Sequence, residues 1–121
     1  MRKAYLKAAL QRTESSAVVA ERVREARARQ EHRLQGTGWQ TNGEVPGPYL
    51  RRQLPLPDGL QVVETAVTRG KLSPRGVDKV LRVAWTLADL AGRDRPGRDE
   101  VGVALAMRRG EQLETQRTET A

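Results

Sequence analysis

Residues 71–92, KLSPRGVDKVLRVAWTLADLAG, decide the fold. Ser73 is a good N-cap, Pro74 suits a first helical position where no N–H is needed, and Gly92 is a C-terminal stop. Between them Val77, Val80, Leu81, Ala84, Leu87, Ala88 and Ala91 recur at intervals of three and four residues, the repeat of one helical face. The spacing predicts a central core helix over 74–91. Arg75 is its oddity, a cation in the first turn, where the helix dipole favours anions.

Outward from this helix the pattern stays helical. GRDRP reads as a short polar turn, and GRDEVGVALAMRR as a last helix burying Val101 and Leu105, with Ala104 or Met107 beside them. Residues 110–121 are polar and without a pattern, so a flexible tail is expected there. Upstream, Asp58 can cap a helix over GLQVVETAVTRG in which Leu60, Val63 and Val67 share a face and Gly70 is the stop. The stretch Gly36 to Gly59 is dense in Gly and Pro and must be largely loop. It also holds Trp39, Val45, Tyr49, Leu50, Leu54 and Leu56, which predicts an ordered loop with one short helix near Pro48 to Gln53. From Glu14 to Gln35 the chain lacks Gly and Pro, and Val19, Val23, Ala26 and Leu34 form a narrow apolar seam on a charged rod. No strand signal competes. The expected fold class is all-α, a small helical bundle with a long first helix and an ordered Gly/Pro-rich loop.

A chain of 121 residues without Phe fits one domain with a modest core of Leu, Val and Ala. Twenty-two Lys and Arg against fifteen acids give a formal charge of +7, which suits nucleic acid, nucleotide phosphates or acidic protein surfaces. Most of the excess lies in residues 1–60. Without cysteine there is no disulfide, thiolate metal site or cysteine nucleophile, and the single His32 rules out histidine pairs, so no metal site is expected. No apolar run approaches a bilayer span and MRKAYLKAAL is a poor secretory signal, so a cytoplasmic protein without membrane contact is expected.

Few residues invite a chemical role. Arg75 is either a solvated side chain paired with Asp78, three residues on, or part of an anion site in which a guanidinium joins the N–H groups of a helix start. Arg22, Arg29 and Arg33 fall on nearly one face of the first helix, and could contact nucleic-acid phosphates or a partner. The interleaved Glu21, Glu25 and Glu31 speak instead for a solvated, self-paired helix. Trp39, Trp85 and Tyr49 read as packing groups, His32 as a surface residue, and Asp99 and Glu100 as dipole compensation at a helix start. Gly70-Lys71 lacks the glycine spacing of a phosphate-binding loop, so the chain cannot hold and hydrolyse ATP by that route.

Three stretches together resemble one family. ESSAVVAERVREARARQEHR is similar to the helix after the ATPase core in magnesium-chelatase-like AAA+ proteins of the ComM/YifB family, TNGEVPGPYLRRQLPL to the loop that follows it, and LSPRGVDKVLRVAWTLADLAG to the family's most characteristic segment. The resemblance implies that residues 14–109 are the C-terminal helical lid of an AAA+ ATPase, with 1–13 a linker or vector-derived segment and 110–121 a flexible tail. It implies that Arg75 is the sensor-2 arginine, directed with Ser73 at the γ-phosphate of ATP. The ATP and its Mg2+ would be bound mainly by a core domain outside this chain. The implied partners are that core and neighbouring subunits of a homo-oligomeric ring, with DNA as the remodelled substrate in ComM-like branch migration. The alternatives are a stand-alone basic helical module that binds nucleic acid, or the lid of a metal-chelatase subunit. The sequence departs from the family pattern at Gly43 and Pro74, where alanine is common, and at Trp85, which replaces an arginine.

Overall fold

The computed structural model describes residues 16–120, with side chains through residue 114. The segment expected to be a linker, 1–13, lies outside the described residues. The order of elements is α1 (Ser16–Arg33), a 3-10 turn (Asn42–Glu44), α2 (Gly47–Arg52), α3 (Leu60–Thr68), α4 (Pro74–Ala91) and α5 (Arg98–Thr120). The described residues contain no strand, and the chain is the all-α bundle that the periodicity predicts.

Helix α4 is the axis of the bundle. Its start is closed by Ser73, whose Oγ accepts the Gly76 N–H at 3.1 Å. Its end is closed by Gly92 at φ +74, a left-handed conformation that glycine adopts without strain. One side of α4 meets α3 and α5 through Val80, Ala84, Val63, Val101 and Leu105. The other side carries Leu81 and Trp85 into a second cluster with Leu34, Val45, Leu50 and Leu54 from the loop region. That second cluster is why the Gly/Pro-rich stretch is ordered. Trp39 and Tyr49 pack edge to face at its rim, 5.0 Å between centroids, as packing groups should.

The structure corrects several local expectations. α3 begins at Leu60 with Gly59 at φ +78 before it, and Asp58 does not cap it. Asp58 turns instead to Arg95 at 3.1 Å, and its N–H donates to the Pro96 carbonyl. Within α3, Ala66 is buried and Val67 is exposed, because the helix presents Val63 and Ala66 to the core. Val19, Leu56 and Met107 are likewise exposed, while Ala26 and Ala104 take the buried places. α5 does not stop at Gly110 but runs to Thr120. One interior glycine costs about 1 kcal/mol, and the Arg108–Glu111 ion pair at 3.1 Å bridges the position. Among the described residues no helix is long and apolar enough to cross a membrane.

Candidate functional site

Arg75 occupies the second position of α4 and is exposed. Among the described residues its side chain has no hydrogen bond or ion pair, so the expected pairing with Asp78 does not form. Asp78 is taken by another arginine: Arg51 of α2 donates to its Oδ1 at 2.6 Å. Gly47 lies so close under the Asp78 carboxylate that any Cβ there would collide with it. The glycine thus seats the first turn of α2 directly on α4.

The backbone of this helix end is nearly saturated. Pro74 has no N–H, Ser73 Oγ accepts from Gly76, and the Val77 N–H donates to the Ser73 carbonyl at 2.9 Å. The Arg75 N–H is the remaining first-turn donor, and Ser73 keeps its hydroxyl proton to donate. An anion here would therefore be held mainly by the Arg75 guanidinium, with one backbone N–H and one hydroxyl in support. Such a group can neutralise charge on a phosphate, while nothing at this helix end cradles a whole triphosphate.

The three arginines singled out on α1 do not form one surface. Arg22 and Arg29 are exposed, and Arg29 lies over Gly92, where a cation suits the C-terminal end of the α4 dipole. Arg33 turns inward. Its two terminal nitrogens meet the two carboxylate oxygens of Asp89, each at 2.7 Å, and one also donates to Asn42 Oδ1 at 2.8 Å. Its guanidinium stacks 4.4 Å from the Trp85 ring centroid. Asn42 completes the group by donating to Asp89 at 3.0 Å and Thr86 at 3.1 Å, while its own N–H donates to Gln30 Oε1 at 2.6 Å. Arg33 therefore joins α1 and the loop to α4 and is not available to a nucleic-acid phosphate. Arg24 is paired with Glu21, in keeping with a self-paired helix.

Two polar devices escaped sequence reasoning. Asp89 lies four residues after buried Trp85, and a carboxylate at that spacing was the available sign of a buried partner. Glu100 is buried too. It accepts the Gly97 N–H at 2.9 Å, the half of a capping box that an acid at the third helical position supplies, and is 3.4 Å from Arg93. The sequence pattern predicts only dipole compensation for it. His32 is exposed, as a surface residue should be.

The family described as magnesium chelatase, subunit ChlI C-terminal, has a model that matches residues 13–108. This chain belongs to that family. The matched part of this magnesium-chelatase C-terminal domain includes α1 through α4, with Arg75, the Arg51–Asp78 pair and the Arg33–Asp89 group. Proteins of Mycobacterium tuberculosis and Mycobacterium bovis that bear the name uncharacterized protein are 51% identical over 96 residues. The alignment covers 78% of this chain and 19% of each relative, so the domain spans about a fifth of the proteins it resembles. No solved structure matches the chain significantly.

Proposed function

We propose that this domain is the lid of a magnesium-chelatase-like AAA+ ATPase and acts on ATP held by a core domain elsewhere in a longer protein. The observation that carries the reading is Arg75 itself: exposed, unpaired among the described residues, and fixed at the capped start of the best-packed helix of a chelatase-family C-terminal domain. A rigid helix start is what presenting one guanidinium to a phosphate requires. In this role Arg75 is a sensor-2 residue that neutralises charge on the γ-phosphoryl group as it transfers, assisted by Ser73. The core supplies the phosphate-cradling loop, the Mg2+ and the group that orients the attacking water.

The rest of the mechanism follows from the bundle. α4 packs most extensively on α5 and then on α1, so a force on Arg75 moves these helices as one body. γ-Phosphate binding and loss would then tilt the lid against the core or against a neighbouring subunit of a ring. The ComM/YifB reading, with DNA as the remodelled substrate, is supported by the three resembling stretches, the +7 charge and the exposed Arg22 and Arg29. The family description favours a chelatase subunit as the competing assignment. A cytoplasmic location suits either.

The test is the ATPase activity of the longer protein with Arg75→Ala, beside wild type, after matching assembly and ATP binding. Loss of turnover by about 100-fold or more with binding retained supports the sensor role. An unchanged rate removes it. For the DNA reading, Arg22→Ala with Arg29→Ala should weaken binding evenly across sequences and lower the salt slope by about one per lost contact.

A further inference from the structure

The geometry points to a positioning role for Arg51: we propose that it keeps Arg75 available to a phosphate by occupying the carboxylate that would otherwise capture it. The inference rests on the sensor reading of Arg75. Arg75 and Asp78 are three residues apart on α4, so their side chains share a face within pairing reach. Left to α4 alone, Asp78 would neutralise Arg75 and place a negative charge beside the incoming phosphate.

The structure shows the arrangement that prevents this. Arg51 reaches across from α2 to Asp78 at 2.6 Å, and its side chain is only half exposed. The close seat of Gly47 under the same carboxylate fixes the distance between the two helices. Other cations near Asp78 are poorly placed to replace Arg51. Lys79 is adjacent in sequence and does not share its face, and Arg82, four residues on, donates through Nε to the Val45 carbonyl at 3.0 Å. Arg75, three residues before Asp78 on the same face, has no hydrogen bond or ion pair among the described residues that would hold it elsewhere. Removing Arg51 therefore leaves Asp78 to Arg75, and the guanidinium engaged by that carboxylate is lost to the γ-phosphate.

A double-mutant cycle in the longer protein separates this from simple packing. Arg51→Ala is expected to lower kcat/KM for ATP about three- to tenfold. Adding Asp78→Asn, which keeps the side-chain shape against Gly47 and removes the charge, is expected to restore most of that loss. In an Arg75→Ala background, Arg51→Ala is expected to have little further effect. Failure of Asp78→Asn to rescue, or an Arg51→Ala loss that persists without Arg75, would make the pair merely structural and overturn the proposal. If Arg75→Ala lowers turnover while Arg51→Ala does not, the proposal falls and the sensor reading stands. If Arg75→Ala itself has no effect, the sensor reading falls and takes this proposal with it.

Discussion

Arg33 and Asp89, 56 residues apart in sequence, meet through two parallel hydrogen bonds of 2.7 Å at the junction of α1 and α4. The Asp89 side chain is 3% exposed and that of Arg33 13%, so the pair is largely withdrawn from water. Removing one partner leaves the other charge buried, at a cost of about 3–5 kcal/mol. Arg33→Ala should lose about that much in a denaturant titration. The double replacement Arg33→Met with Asp89→Leu should lose less than Arg33→Ala alone, since no charge is then stranded.

Trp85 fills the space beneath this pair and is fully buried. Truncating a buried tryptophan to alanine costs about 3–5 kcal/mol. The loss should appear as a lowered Tm, together with release of the loop that packs on the ring, read as faster amide exchange between residues 39 and 46. Exchange in α5 should change less, because its contacts with α4 belong to the other cluster.

Gly47 admits no side chain, since a Cβ would overlap the Asp78 carboxylate. Gly47→Ala forces α2 away from α4 and should destabilise the domain by about 1–3 kcal/mol. It should also loosen the Arg51–Asp78 pair. Thermal melts and the salt dependence of Tm in the variant and wild type would read both effects.

Ser73 caps α4 through its hydroxyl, and Ser73→Ala should cost about 1 kcal/mol in equilibrium unfolding. Ser73→Asp keeps a capping oxygen and should fold well, yet it places an acid beside Arg75. Measured in the longer protein, Ser73→Asp should weaken ATP binding despite retained stability. That combination separates the capping role from the phosphate-facing role.

The extent to which this molecule is legible in its sequence follows the range of the interactions. α4 could be read almost residue by residue, because Ser73, Pro74, Gly92 and its apolar repeat all act within a few residues of one another. The start of α3 was displaced by two tertiary contacts of Asp58, to Arg95 and Pro96, that no local pattern announces. Arg33 looked like Arg22 and Arg29 because all three lie on one charged helix. Only the folded loop, with Asn42 carried between α1 and α4, makes it a buried partner. For the candidate site, the position of Arg75 was evident from the helix start. Its freedom from Asp78 was not, since that depends on Arg51, 27 residues before Asp78.

The central claim is that this domain delivers Arg75 to ATP, and the most direct measurement is a structure of the longer protein bound to a non-hydrolysable ATP analogue and Mg2+. The account predicts a guanidinium nitrogen of Arg75 within about 3 Å of a γ-phosphate oxygen. It also predicts that Asp78 still faces Arg51. Arg75 turned to solvent, or held by Asp78 while another side chain meets the γ-phosphate, would contradict it.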